Sequence, residues 1–447
     1  MKRVFLETYG CQMNVADSEV MAGVLERAGM ELVARPDDAD AVILNTCAIR
    51  EHAEQRVLGR LGEFAHLKLK NPDLIVGVAG CMAQHLRKRL LDQKRVLDLV
   101  VGPDGYRELP ALLRRAAAAP VSNVRLDRDE TYGDLEPRRG HGVRAWVTVQ
   151  RGCDKFCTYC VVPYTRGRER SLPLHELVSQ VTKAAAQGFR EIVFLGQTVN
   201  SWNDGTHDFA DLLRAANAVE GVLRVRFTSP HPSDMSERVV AAIAECERVM
   251  PHVHLPLQSG SDRVLAAMVR SYTLEQYERV LARIRGRIPG AAVSTDIIVG
   301  FPGETEADFL MTHEAMRRWR FDSAFLFKYS ARPDTKSFRM PETVDEAEKG
   351  RRLQALIDQQ HQISGEIHDG WIGREVEVLV DGPSWRPAGA ERQLHGKSRE
   401  FKTVVWADDG AAPGTLRRVR VVGATPVTLL GESVEQASRP ALVTIAG

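Results

Sequence analysis

The sequence predicts a multidomain α/β protein with three structured parts. Up to residue 120, short apolar runs of strand length alternate with segments of helical period, which is typical of a parallel α/β sheet domain. The same alternation restarts near residue 143 and continues to about residue 370. After that point, short β-rich runs between Pro and Gly turns predict a small all-β barrel of the OB kind. A chain of 447 residues is long enough for several hydrophobic cores.

The predicted domain boundaries follow these changes in pattern. The first domain covers residues 1–120, the second 143–370 and the third 371–433. Residues 121–142 mix opposite charges with Pro137, Gly140 and Gly142, a composition typical of a linker. Residues 434–447 remain as a tail.

The first domain carries one cysteine after each of three predicted strands. The strands are Val4 to Thr8, Ala41 to Asn45 and Leu74 to Ala79, and the cysteines are Cys11, Cys47 and Cys81. Ligand sites of open parallel sheets gather at the carboxyl ends of the strands, so we expect the three thiols to converge on one metal site. The alternative is three separate buried thiols, because free cysteine packs as a small apolar residue.

The second domain contains six predicted βα units. Its strand-like runs are Ala145 to Gln150, Glu191 to Leu195, Leu223 to Thr228, His252 to Leu255, Ala292 to Val299 and Ser323 to Tyr329. Segments of helical period separate these runs. We expect the active site at the carboxyl ends of the strands, as in complete barrels.

A tight cysteine motif, Cys153-Asp-Lys-Phe-Cys157-Thr-Tyr-Cys160, follows the first strand of this domain. Thiolates in such a run favour zinc or an iron-sulfur cluster. The neighbouring residues offer no obvious fourth ligand, although a structural zinc site normally has four. A four-iron cluster held by three cysteines would leave one iron open to chemistry. The alternatives are a zinc loop and a passive electron-transfer cluster, and Cys246 is expected to be a core thiol.

Two segments combine basic and aromatic residues in a way typical of RNA contacts. The predicted contacts are Arg166, Arg168, Lys397, Arg399 and Lys402. The first two follow the cysteine loop, where the alternative is a salt-bridged barrel rim. The other three lie in the third domain near Trp385, Phe401 and Trp406, where the alternative is a lid that only closes the barrel.

The composition excludes some classes of protein. Lys and Arg total 60 against 59 Asp and Glu, so any basic surface for nucleic acid must be local. Seven cysteines, an odd and clustered number, fit metal ligation in a reducing compartment better than a secreted disulfide framework. No apolar run approaches the roughly 18 residues of a membrane helix, and the first residues lack a signal-peptide apolar region. We therefore expect a cytoplasmic monomer without membrane association.

The cysteine loop after a strand resembles the signature of radical S-adenosylmethionine (SAM) enzymes. The resemblance implies a partial (β/α)6 barrel and a 4Fe-4S cluster on Cys153, Cys157 and Cys160, which would form the catalytic centre. In that family the open iron binds SAM. The resemblance also implies SAM contacts at Gln197 and Gly300, although Gly300 has the alternative of only turning the chain into the next helix.

Three blocks of the first domain look like the N-terminal domain of the methylthiotransferase family. They are ETYGCQMN around Cys11, NTCAIR around Cys47 and GCMAQ around Cys81, and they imply a second, auxiliary 4Fe-4S cluster on these cysteines. Residues 396–400, GKSRE, look like the motif of a TRAM domain, an RNA-binding appendage of RNA-modifying enzymes. Together these resemblances cover nearly the whole chain.

Within that family, the cysteine loop looks most like the branch that methylthiolates carbon 2 of N(6)-isopentenyladenosine beside the anticodon of tRNA. The likeness implies two SAM molecules per turnover, a tRNA carrying isopentenyladenosine, and an electron donor of the flavodoxin or ferredoxin type. Sister branches act on threonylcarbamoyladenosine in tRNA or on an aspartate of a ribosomal protein. An alternative of another class is a non-catalytic iron-sulfur RNA-binding protein or a redox sensor.

Overall fold

A computed structural model describes residues 2–48, 51–93, 96–384 and 392–434. Trp385 and residues 435–447 of the predicted tail lie outside the described residues. Among the helices of the described ranges, none combines the length and the apolar character that crossing a bilayer requires.

The first domain is a six-stranded parallel sheet with helices on both faces. Its strands are β1 (Arg3–Tyr9), β2 (Glu31–Leu32), β3 (Ala41–Thr46), β4 (Ile75–Gly80), β5 (Leu99–Val101) and β6 (Val121–Asn123). Its helices are α1 (Gln12–Arg27), α2 (Glu51–Lys70), α3 (Cys81–Leu86), α4 (Lys88–Gln93) and α5 (Leu109–Ala116). The strand order is β2-β1-β3-β4-β5-β6. The predicted parallel sheet is confirmed.

The structure differs from the predicted elements at three places in this domain. The predicted helix from Met82 to Leu91 is broken at Arg87, whose φ is 54°. The short strands β2 and β5 were not predicted. Strand β6 lies in the segment that the sequence presents as a linker, and it pairs with β5 in the sheet.

The register of the three central strands places their carboxyl ends side by side. Tyr9 of β1 pairs with Thr46 of β3, and Thr46 pairs with Gly80 of β4. Whatever follows these three residues therefore lies at one edge of the sheet.

The second domain is built on six parallel strands, as predicted. They are β7 (Arg144–Thr148), β10 (Glu191–Leu195), β11 (Arg224–Phe227), β12 (His252–His254), β13 (Ala292–Val299) and β14 (Ser323–Lys328), and the short pair β8 (Gln150–Arg151) and β9 (Arg170–Ser171) flanks the cysteine loop. The helices are α6 (Val162–Arg166), α7 (Leu174–Ala186), α8 (Phe209–Asn217), α9 (Glu237–Glu245), α10 (Asp262–Ala267), α11 (Leu274–Arg287), α12 (Glu306–Trp319) and α13 (Glu346–Asp369). Sheets β7-β10-β11 and β12-β13-β14 are joined by a bridge between Val225 and Val249.

The third domain is a closed five-stranded barrel. Its strands are β15 (Glu375–Pro383), β16 (Gln393–Ser398), β17 (Thr403–Ala407), β18 (Leu416–Ala424) and β19 (Leu429–Ser433). The prediction of a small all-β barrel is confirmed, but β16 was not predicted because its sequence, QLHGKS, has little apolar character. Side chains from all five strands fill its interior, including Val378, Leu394 and Trp406.

The other two domains cover part of the inner face of the central barrel. Val193 and Leu195 on the inner face of β10 pack with Met13 and Ala16 of α1. On the next strand, β11, the inner-facing arginine Arg226 donates to a backbone carbonyl of the third domain. The first domain therefore closes one side of the barrel interior, and the third domain closes another.

Candidate active site

Cys11, Cys47 and Cys81 lie together at the carboxyl edge of the first sheet, as the sequence predicts for their position. Cys47 and Cys81 directly follow two aligned strand ends, and both are buried. A hydrogen bond with Cys47 lowers the pKa of the Cys11 thiol to about 6. The three thiols form the first of two cysteine groups, here called the sheet-edge trio.

Two glycines make room for the sheet-edge trio. A Cβ atom on Gly10 would lie 2.8 Å from Cβ of Cys47, and one on Gly80 would lie 2.6 Å from the carbonyl oxygen of Thr46. Both glycines have positive φ, at 148° and 93°, which side-chain-bearing residues rarely adopt. A larger residue at either position would push the thiols apart.

The second group, the loop trio, consists of Cys153, Cys157 and Cys160 between β8 and α6. The Cys153 Sγ lies 3.3 Å from Oγ1 of Thr198, and Nη1 of Arg270 donates to Sγ of Cys157 at 3.3 Å. Burial raises the pKa of the Cys160 thiol to about 12. Hydrogen-bond donors and a cation beside these sulfurs favour thiolate ligands once a metal binds.

The donor set fits iron-sulfur clusters better than zinc. Each trio offers three thiols, whereas a structural zinc site normally has four protein ligands. A four-iron cluster takes each thiolate on a separate iron. Cys246 packs in the apolar core of the barrel, as expected.

Arg166 of α6 contacts the sheet-edge trio. Its Nε donates to Sγ of Cys81 at 3.2 Å, and its Nη2 donates to Asp17 of α1 at 2.7 Å. Helix α6 begins two residues after Cys160, and Val161 packs with Cys81. Both trios therefore adjoin this short helix: the loop trio precedes it in the chain, and Cys81 contacts its last residue, Arg166.

The ion pairs at this junction are fully buried. Asp17 also accepts a hydrogen bond from Arg151 at 2.9 Å, and its carboxylate has no exposed surface. Burial opposes ionisation, but the charges of Arg166 and Arg151 hold the pKa of Asp17 below its usual value. Nη1 of Arg166 is buried without a partner among the described residues, so it is free to donate to a group bound at Cys81.

Arg166 was predicted to contact RNA, and this prediction is wrong for a physical reason. Its side chain is only 4% exposed and is held between a carboxylate and a thiol in the interior. Arg168, two residues on, remains at the surface, where it pairs with Asp154 at 2.6 Å. The segment therefore contributes one arginine to the interior and one to the rim.

The three basic residues predicted in the third domain lie at its junction with the barrel. Lys402 is buried and pairs with Asp322 at 2.5 Å, and Arg399 donates to the carbonyl of Glu247 at 2.9 Å. Lys397 lies 4.7 Å above the ring of Phe401, and burial lowers the pKa of this lysine to about 8. Lys402 and Arg399 therefore hold the domain on the barrel, in agreement with the alternative of a lid, whereas the Lys397 ammonium contacts Phe401 and Thr403 of its own domain. Lys402 is buried, so it is not part of an RNA-binding surface, while RNA contacts of the partly exposed Lys397 and Arg399 stay a prediction.

The two predicted SAM contacts have different surroundings. Oε1 of Gln197, just after β10, is buried and accepts no hydrogen bond from the described residues, so it has an open acceptor for a ligand. Gly300 has φ of 73°, and a Cβ there would lie 2.4 Å from Cγ of Lys349. Helix α13 thus fills the space beside Gly300, and this close packing explains why the position needs a residue without a side chain.

Sequence reasoning missed several residues around the site. They are Asp17, Arg151, Arg270, Phe325 and Phe327. The sequence signal for the last two lies in β14, Ser-Ala-Phe-Leu-Phe-Lys. Apolar residues occupy both faces of this strand, although it lies at the edge of its sheet. The three charged residues carry no such signal, because their partners are remote in sequence.

A barrel of six parallel strands with a CxxxCxxC loop after the first strand defines a radical SAM enzyme, a class that uses SAM and a 4Fe-4S cluster. In agreement, the profile of the "Radical SAM superfamily" matches residues 147–316, and that of the "Uncharacterized protein family UPF0004" matches residues 3–102. The chain belongs to the family of the tRNA-2-methylthio-N(6)-dimethylallyladenosine synthases, which are radical SAM methylthiotransferases. This membership removes the non-catalytic alternative.

The family assignment rests on relatives that match almost end to end. A protein of that name from Chloroherpeton thalassium is 43% identical over 97% of this chain and 96% of its own length. Another from Phocaeicola vulgatus is 44% identical over 97% and 96%. Among solved structures, the radical SAM methyltransferase TsrM from Kitasatospora setae has a TM-score of 0.57 at 16% identity, covering 75% of this chain and 77% of that one. This last likeness concerns the fold alone.

Proposed function

We propose that this protein methylthiolates carbon 2 of N(6)-isopentenyladenosine next to the anticodon of tRNA. The observation that carries the proposal is that two cysteine trios adjoin the same short helix, α6, which follows the loop trio in the chain and contacts Cys81 through Arg166. The relatives' names supply the base, since dimethylallyl and isopentenyl describe the same N(6) substituent. With tRNA as the substrate, we expect the activity in the cytoplasm.

We assign one 4Fe-4S cluster to each trio. When bound, the cluster on Cys153, Cys157 and Cys160 supplies, with SAM, a carbon-centred radical, and the cluster on the sheet-edge trio supplies the sulfur. Two SAM molecules would serve each turnover, one as methyl donor and one as radical source. A radical is needed because an aromatic C–H bond is too weakly acidic for side-chain acid-base chemistry.

The chain's own residues hold and orient these groups. Thr198 and Arg270 lie within hydrogen-bond distance of the loop-trio sulfurs and would keep them ionised. Gln197 would accept a hydrogen bond from the SAM amino group through its free Oε1. Gly300 has less room for a SAM contact, because Lys349 already fills the space beside it.

The proposal includes two macromolecular partners. tRNA would approach the open rim of the barrel, where Arg168 offers an exposed cation. The electron for SAM cleavage would come from a flavodoxin or ferredoxin-type donor, the latter near about −400 mV in plant-type examples. We expect the protein to act as a monomer.

The decisive experiment is anaerobic incubation of the reconstituted protein with SAM, dithionite and isopentenylated tRNA, followed by nucleoside mass spectrometry. A methylthio product is expected. Formation of 5'-deoxyadenosine without that product would indicate that the enzyme acts on the substrate of a sister branch, either threonylcarbamoyladenosine in tRNA or the ribosomal-protein aspartate.

Cysteine variants separate the two proposed clusters. Cys157→Ala should abolish SAM cleavage, whereas Cys47→Ala should block thiolation and leave some cleavage. Cys246→Ala is the matched control, because this thiol lies in the apolar core and should affect neither reaction. Continued SAM cleavage by the Cys157→Ala protein would contradict the assignment of the loop trio.

A further inference from the structure

One wall of the barrel interior is left uncovered by the neighbouring domains. Ala324 and Leu326 of β14 pack outward against the apolar core shared with α13. Because side chains alternate along a strand, Phe325 and Phe327 face inward. They are 53% and 38% exposed, which is unusual for phenylalanines inside a barrel.

Three neighbouring strands of the inner face are covered by the other domains. Helix α1 covers β10 through Met13, and the third domain covers β11 and the start of β12, where Phe401 stacks on His252 at 4.9 Å between ring centroids. The uncovered wall, formed by Phe325, Phe327 and Asp296, lies on the opposite side of the sheet from these covered strands and is open to a substrate.

The uncovered wall has defined geometry. Asp296 of β13 pairs in register with Phe325, and Ile298 pairs with Phe327. His254 of β12 lies 3.2 Å from Asp296 and meets the Phe325 ring edge to face at 5.8 Å. These contacts hold Phe325 in place while leaving about half of its surface free.

The wall also has a direction. Strand β14 runs toward the end of the barrel that carries the cysteine loop, so Phe327 lies nearer to the loop trio and Phe325 lies deeper. Ile298, the register partner of Phe327, packs against the same small apolar cluster as Tyr159 of the cysteine loop. Two residues of strand separate the phenylalanines by roughly 7 Å, which is comparable to the distance between the centre of a purine and the hydrocarbon on its N(6).

We infer that Phe327 stacks on the purine of the substrate and that Phe325 binds its N(6) hydrocarbon substituent, which makes Phe325 a specificity-determining residue. This inference rests on the proposed function. Carbon 2 and carbon 6 of adenine lie on either side of N1, so a base with carbon 2 toward the loop trio points its N(6) group away from it. That direction leads to Phe325. An exposed aromatic ring suits an isopentenyl group, whereas a carboxylate-bearing substituent would gain nothing from it.

The test compares two anticodon stem-loop RNAs that differ only in the isopentenyl group, with binding to reconstituted protein measured by fluorescence anisotropy. Wild-type protein should bind the isopentenylated RNA more tightly than the unmodified RNA. Phe325→Ser should reduce the ratio of these two affinities by at least about tenfold. Phe327→Ser should weaken binding of both RNAs by a similar factor, because stacking does not depend on the substituent. Phe325→Leu should restore most of the preference.

Leu310→Ser is the matched control, because Leu310 is 54% exposed on the outer helix α12. Equal preference for the isopentenylated RNA in the Phe325→Ser and wild-type proteins would overturn the inference. Product analysis with full tRNA is run in parallel: if wild-type protein makes the methylthio product while Phe325→Ser keeps its preference, only this inference fails. If wild-type protein makes no product from isopentenylated tRNA, the proposed function itself fails.

Discussion

Replacing Asp17 by Asn would test the buried ion pairs that join the first domain to the barrel. The substitution keeps the size of the side chain but removes the charge that Arg151 and Arg166 share at 2.9 and 2.7 Å. Both guanidinium groups are almost fully buried, so neither can turn to water. Removing one partner of a buried pair typically costs about 3–5 kcal/mol, and we expect a loss of that size in the free energy of unfolding.

The assay is urea denaturation of the Asp17→Asn and wild-type proteins, followed by tryptophan fluorescence at pH 7.5. Glu245→Gln serves as the control, because Glu245 pairs with Arg214 at the surface and should lose less than about 1 kcal/mol. The pKa of Asp17 is held low in the folded state, so its contribution is present above about pH 4 and is lost as pH falls further. An Asp17→Asn protein as stable as the Glu245→Gln control at pH 7.5 would refute this account of the junction.

Three further predictions concern other parts of the molecule. Burial raises the pKa of Glu19 to about 7, so the stability of the folded protein falls as pH rises from about 4.5 to 7. Compared with wild-type protein, Glu19→Gln should have a free energy of unfolding about 1–3 kcal/mol higher at pH 8 and almost the same at pH 4.5, as measured by urea denaturation. Gly152→Ala should lower the iron content of reconstituted protein by about half, because the new Cβ would lie 2.0 Å from the Arg168 carbonyl oxygen and Gly152 has a φ of 81°. Gly62→Ala is the control: its new Cβ would have no atom within 4 Å, so this variant should bind as much iron as wild-type protein. Lys402→Met should loosen the third domain, because it leaves a carboxylate of the barrel unpaired, and limited proteolysis should then cut that domain from the chain sooner than in wild-type protein.

The sequence was most informative where local pattern and topology agree. Apolar runs of strand length, each followed by a segment with helical periodicity, predict a parallel sheet. In such a sheet Cys11, Cys47 and Cys81 must lie at one edge. The same reasoning predicted the six strands of the barrel. Strands β2, β5 and β6, of two or three residues each, were missed because no periodicity can be measured over so short a length.

The sequence could not show which charged residues are buried. Arg166 and its partner Asp17 are 149 positions apart, and Lys402 and Asp322 are 80 apart. A basic residue near an aromatic one has the same local pattern whether it contacts RNA or closes a domain junction. Only the tertiary arrangement distinguishes the two, and here it assigned most of the predicted RNA contacts to domain junctions.

Part of the attachment of the third domain to the barrel does not depend on which side chains the third domain carries. Arg224 and Arg226 of β11 donate to the backbone carbonyls of Glu377, Lys397, Ser398 and Arg399. A peptide oxygen is present whatever residue occupies a position, so β16 and the turn after it can change sequence without losing these four bonds. Side chains of β16 can therefore change while these backbone bonds persist, whereas the ion pair between Lys402 and Asp322 needs both of its side chains.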